Sequence, residues 1–89
     1  MRRNTKLQRY MAVIYAILQG KTKVNHIIQK ANINYKESKT ILDLLIQQGL
    51  VTQENHEYKV THKGLKSTNL FIELVTMFGE RPIDNLGIL

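Results

Sequence analysis

The chain contains no cysteine, which excludes disulfides, thiolate chemistry and any cysteine-based zinc site, and suits a reducing compartment. Its three histidines, His26, His56 and His62, are scattered and make a poor metal site without thiolates. There is no Gly-rich phosphate loop, no nucleophile elbow and no carboxylate pair set in a pocket. The expectation is therefore no enzyme, no cofactor and no metal. A long hydrophobic run is also missing. The longest uncharged apolar stretch, Met11–Leu18, is about half of what a bilayer requires. It follows Arg9 without a small-residue cleavage site, so it is a poor signal peptide. Repeats, low-complexity segments and flexible linkers are absent as well. These omissions lead to a cytoplasmic protein without a membrane partner.

What is present is a single small domain. At 89 residues a chain buries only roughly 60–65% of its unfolded surface, so help from a partner subunit is expected. An apolar content of 43% is too high for a disordered segment. Acid is scarce in one half only. Residues 1–39 hold nine Lys or Arg against Glu37 alone, a balance of +8, whereas residues 40–89 hold four basic residues against six acidic ones, a balance of −2. A one-sided basic half is the electrostatic footprint of a phosphate-binding face, or else a Lys-rich solvated surface, and charge alone does not separate the two.

Hydrophobic spacing supplies the missing context. Leu7, Tyr10, Met11, Ile14, Ile17 and Leu18 recur at helical intervals and predict a first helix over 5–19, with Thr5 as N-cap and Gly20 just past its end. A second helix is expected over 21–31, with Val24, Ile27, Ile28 and Ala31 as its apolar stripe. Asn32 then suits the left-handed residue of a sharp turn, and Ile33 the plug of the corner. Asn34 with Glu37 three residues on makes a variant capping box for a third helix, over 34–48. There Ile41, Leu42, Leu45 and Ile46 face inward, Lys36, Lys39, Thr40 and Asp43 face outward, and Leu44 lies off the stripe. Gly49 stops this helix, and Leu50 and Val51 provide a hydrophobic anchor just beyond it.

Residues 50–54 and 57–61 are expected to pair as strands around Asn55-His56, because Asn accepts positive φ in two-residue turns. That register sets Val51 opposite Val60 and Gln53 opposite Tyr58. It also sets Glu54 opposite Glu57, a like-charge pair that a four-residue loop would relieve. Thr61 caps a last helix ending near Phe78, with Gly79 and Pro82 beyond it. This helix carries nearly two apolar stripes, Leu65, Ile72 and Val75 on one, and Leu70, Phe71, Leu74, Met77 and Phe78 on the other. A surface helix needs one. The excess is read as a homodimer contact made by Leu65, Leu70, Phe71, Ile72, Leu74, Val75 and Phe78. The alternative is that the tail residues Ile83, Leu86, Ile88 and Leu89 fold back over it.

The resulting architecture is mainly α with a small β-hairpin, three helices, two strands and a helix, the plan of a winged helix-turn-helix. Its expected division is a DNA-binding domain over 1–62, a dimerisation helix over 63–78 and a tail over 79–89. In this plan the third helix enters the major groove, which is wide enough to admit it. The candidate DNA-binding residues are Asn34, Tyr35, Lys36, Ser38 and Lys39 on that helix, with Asp43 further along. Arg2 and Arg3 form a short basic arm which, together with Lys6 and Arg9, is expected to follow the backbone or reach a minor groove, and Lys21 and Lys23 stand at the start of the second helix, where free N–H groups favour phosphate. The tip of the hairpin, Glu54 to Glu57, is too acidic for strong phosphate contact.

The segments ILQGKTKVNHIIQKANINYKESKTILDLLIQQGLV and YKVTHKGLKSTNLFIEL resemble the small archaeal winged-helix transcription regulators and chromatin-associated proteins. The resemblance rests on Thr22-Lys23 before the second helix, on Tyr35 through Val51, and on Tyr58-Lys59-Val60-Thr61-His62-Lys63-Gly64 at the strand-to-helix junction. It covers about residues 6–78. It implies double-stranded DNA binding as a homodimer, as a regulator or a less selective nucleoid protein. The chain departs from the pattern in the acidic wing tip and in Ser38, where Leu is usual, which either loosens helix packing or frees a hydroxyl for DNA. A protein-docking module working through the last helix and the tail is the alternative reading, against which the basic first half speaks. A small-molecule-sensing repressor would need a pocket that nothing in the sequence identifies.

Overall fold

A computed structural model of the chain describes residues 6–79, so readings that fall on Arg2, Arg3, Thr5 and the tail from Glu80 onward lie outside the described residues. Six elements succeed one another: α1 (Lys6–Leu18), α2 (Val24–Ala31), α3 (Tyr35–Gln47), β1 (Val51–Glu54), β2 (Glu57–Val60) and α4 (His62–Met77). The fold is mainly helical with one antiparallel hairpin, in the winged helix-turn-helix order.

Local chemistry accounts for most boundaries. Past α1, Gly20 donates to Ile17 and Lys21 to Ala16. Past α3, Gly49 donates to Ile46 and Leu50 to Leu45. Both pairs are the two-bond Schellman closure, which needs a left-handed residue, and Gly20 (φ 94°) and Gly49 (φ 75°) supply it. Asn32 does the same for α2 at φ 57°, and Ile33 is buried in the corner beyond it. The Asn34 carboxamide caps α3 by accepting from the Glu37 N–H at 2.7 Å. The hairpin adopts the expected register, Val51 opposite Val60 and Glu54 opposite Glu57. Its turn residues Asn55 and His56 both have positive φ, so the two-residue turn prevails over the longer loop.

One boundary moves. The second helix begins at Val24 rather than Lys21, because residues before it are extended and the Thr22 carbonyl accepts from the Tyr58 N–H of β2 at 2.8 Å. This short segment flanks the hairpin and ties it to the helical layer.

The passage from α3 to α4 is a single interlocked joint. Thr61 donates its N–H to Leu50 and its hydroxyl to Gly49, while Lys63 Nζ donates to the Gln48 carbonyl at 2.8 Å. Thr61 Oγ1 in turn accepts from Gly64 and caps α4. The free carbonyls at the end of α3 are thus satisfied by the start of α4. Gly64 must be glycine there, since a Cβ would collide with the Leu50 carbonyl oxygen and lie 2.8 Å from Val60 Cγ1.

The core gathers around α1, which packs on α2, α3, β2 and α4. Its middle is therefore buried nearly all round: Ala12, Val13 and Ala16 join Met11, Ile14 and Ile17, whereas Leu7 and Leu18 at its ends are exposed. On α4 the buried stripe is Gly64, Thr68, Phe71 and Val75. This corrects the expected partition. Phe71 (9% exposed) and Val75 (7%) belong to the chain's own core rather than to an open dimer face, and Ile72 is half-buried beside them. Leu65 is exposed, but it stands on the flank of α4 opposite Leu70, about 140° round the helix at 100° per residue.

Candidate nucleic-acid interface

Helix α3 buries Ser38, Ile41, Leu42 and Leu45. The opposite ridge consists of Lys36, Thr40, Asp43 and Gln47, all exposed and spaced three or four residues apart. These four offer cationic, hydroxyl, carboxylate and carboxamide groups, the chemistry that distinguishes base edges in a major groove. Gln47 is not among the candidates expected from sequence, although it lies one turn beyond Asp43 on the same ridge. Tyr35 is exposed at the head of the helix and Asn34, although exposed, is engaged as the cap.

Ser38 does not belong to this face. It is fully buried, and its Oγ has no hydrogen-bond partner among the described residues. At three, four and seven residues before Ile41, Leu42 and Leu45 it shares their inward face, so it fills a core position with a hydroxyl and faces away from the exposed ridge.

Arg9 also leaves the basic arm. Its Nη1 pairs with Glu37 Oε2 at 3.1 Å, joining α1 to α3. Glu37 thus has its N–H on the Asn34 cap and its carboxylate on Arg9. Lys6 remains exposed at the start of α1. A cleft of about 220 Å3 opens between the two helices, lined by Lys6, Arg9, Tyr10, Glu37, Ile41 and Leu44 among others. That falls below the roughly 300–1,000 Å3 of small-molecule pockets.

On the other flank of α3, Lys39 is half-buried and donates through Nζ to Tyr58 Oη at 3.1 Å. This bond and the charge of Tyr58 raise its pKa above the ordinary 10.5, with smaller upward pulls from Tyr35 and Asp43. Beside Tyr58, Thr22 Oγ1 donates to Glu57 Oε1 at 2.8 Å, which occupies one acid of the Glu54–Glu57 pair. Lys21 and Lys23 flank Thr22; Lys21 and Lys23 are exposed. Of the lysines expected to meet phosphate, Lys36 thus stands on the ridge, Lys39 reaches the start of β2 through Tyr58, and Lys21 and Lys23 flank Thr22, which is bonded to Glu57 and Tyr58 of β2. The spacing of the sequence contains no signal for the Lys39–Tyr58 and Thr22–Glu57 bonds, which join residues 19 and 35 positions apart.

The sequence profile of a family described as winged helix-turn-helix matches residues 2–78. The chain belongs to the winged helix-turn-helix family. The match takes in every element described above, from α1 to the end of α4. No curated protein and no solved structure matches the chain. Membership of the winged helix-turn-helix family points to DNA binding in general and to a fold that is typically non-enzymatic. No described helix is long and apolar enough to cross a membrane.

This winged helix-turn-helix also carries an apolar patch away from the α3 ridge. Leu70, Leu74, Met77 (72% exposed) and Phe78 (79%) recur at i, i+4, i+7 and i+8 on the distal half of α4. The patch lies about 110° round the helix from the buried Gly64–Val75 stripe.

Proposed function

We propose that this protein binds double-stranded DNA as a homodimer and acts as a transcription regulator, of the type that the resemblance to archaeal winged-helix regulators implies. The observation that carries the reading is the α3 ridge of Lys36, Thr40, Asp43 and Gln47, open along its length, with Lys39 on the same helix and Lys21 and Lys23 exposed just before α2. An α-helix with such a ridge fits the major groove, and these lysines lie where a phosphate strand would pass. Arg2, Arg3 and Lys6 add a basic arm. Ser38 and Arg9 take no direct part, the first being buried and the second paired with Glu37.

The homodimer is supported by Leu70, Leu74, Met77 and Phe78, whose contiguous exposure is uneconomical in a monomer. In this reading residues 1–62 form the DNA-binding domain, and the distal part of the helix over 63–78 forms the subunit contact. A two-fold dimer would present two α3 ridges to half-sites about one helical turn, or a multiple of it, apart.

Gel-shift titration of random duplex against native upstream DNA, with light scattering in parallel, tests the reading. Retention of duplex and a mass of two chains support it. A protein that leaves both duplexes unshifted refutes DNA binding, and equal affinity for both duplexes turns the reading from a selective regulator to a general nucleoid protein.

A further inference from the structure

Tyr58 is only 2% exposed, yet its hydroxyl meets a half-buried ammonium group rather than a core polar partner. The strand around the ring is locked in place. The Tyr58 N–H is bonded to Thr22 O at 2.8 Å, and its neighbour Glu57 accepts from the Thr22 hydroxyl at 2.8 Å. The Lys39 ammonium lies 3.1 Å from the hydroxyl and 5.8 Å from the ring centroid, so it sits off the hydroxyl edge of the ring, close to its plane. The first two residues of β2 thus fasten together two segments that each carry positive charge: the middle of α3 through Lys39, and the extended segment through Thr22 with Lys21 and Lys23 on either side.

We infer that Tyr58 is a positioning residue, whose hydroxyl holds the Lys39 ammonium in the crease between α3 and the start of β2, where Lys39, Lys21 and Lys23 together grip one phosphate strand. The inference rests on the DNA-binding reading and deepens it by moving the hairpin's contribution from its turn residues to the buried Tyr58 just behind them. The turn residues themselves cannot serve: Glu54, Asn55, His56 and Glu57 include no Lys or Arg. An ammonium group has three N–H donors, of which Tyr58 takes one, leaving two for phosphate oxygens. Fixing the long side chain in the free protein removes rotamer freedom that binding would otherwise have to remove. The bond to Tyr58 also favours the charged form of Lys39, raising its pKa from the ordinary 10.5.

Tyr58→Phe keeps the buried ring and deletes only the hydroxyl. The test is a cycle on a fluorescent duplex with wild type, Tyr58→Phe, Lys39→Ala and the double variant, with thermal unfolding of each. Tyr58→Phe is expected to weaken binding about three- to tenfold, the range of one net hydrogen bond, and to weaken it no further in the Lys39→Ala background. In the DNA-free protein, side-chain NMR should show the Lys39 titration moving down in Tyr58→Phe. Equal losses in both backgrounds overturn the positioning role while leaving DNA binding intact, because the hydroxyl would then act through the fold and not through Lys39. An unchanged Lys39 titration overturns it as well. Absence of duplex binding by the wild type overturns the reading beneath it.

Discussion

Replacing Ser38 by alanine should stabilise this protein, an unusual direction for a core substitution. The hydroxyl is fully buried and has no partner among the described residues. A buried polar group in that state costs about 1–3 kcal/mol. Alanine also has the higher helix propensity, by roughly 0.5 kcal/mol in a helix interior. Against these stands the void left by one oxygen atom, which offsets only part of the gain at about 24 cal/mol per Å3. The net expectation is about 1–2 kcal/mol of stabilisation. For a domain of this size that raises Tm by roughly 5–10 °C. Urea unfolding and calorimetry at one protein concentration give the comparison, since the proposed dimer would make Tm concentration-dependent. The urea m-value should stay unchanged, as should DNA affinity. A lower Tm would refute the reasoning by showing that the hydroxyl has a partner. Loss of DNA affinity with stability intact would show that Ser38 reaches the duplex.

Two further substitutions probe other parts of the account. Gly64→Ala drives a methyl group into the Leu50 carbonyl, which is already bonded to the Thr61 N–H. The clash should outweigh the roughly 1 kcal/mol that Ala gains over Gly in a helix and leave a net loss of about 2 kcal/mol by urea unfolding. Leu74→Glu, in the middle of the exposed α4 patch, should weaken the proposed dimer at least about tenfold by light scattering while sparing the fold, because Leu74 is exposed and lies outside the chain's own core.

The parts of the fold that rest on local chemistry are legible in the sequence. Asn34 before an apolar run, Gly49 after it, and Asn55-His56 between two short strand patterns each act within a few residues, so the caps, the stop and the hairpin register can be read directly. The parts that rest on tertiary packing are not. Helix α1 is enclosed by four elements, which buries Ala12, Val13 and Ala16 that an amphipathic pattern would leave outside. The buried stripe of α4 begins with Gly64 and Thr68, so a search for apolar spacing passes over it and assigns Phe71 to the wrong face. Ser38 misleads because it is polar and adjoins Lys39; its helical spacing from Ile41, Leu42 and Leu45 holds the contrary signal. At the candidate interface the lysines are identifiable from charge alone. Their grouping around Tyr58, and the pairing that withdraws Arg9, depend on contacts between distant positions.

The central claim, that α3 and the lysines beside it hold duplex DNA, is tested most directly by the salt dependence of binding in the wild type and in Lys36→Ala/Lys39→Ala. Each phosphate neutralised contributes a slope of about −0.9 in log K against log salt. The double variant should bind more weakly and with a slope shallower by up to about two such units, whereas His56→Ala at the hairpin tip should match the wild type. A salt-insensitive wild type, or a double variant with unchanged affinity and slope, would contradict the account.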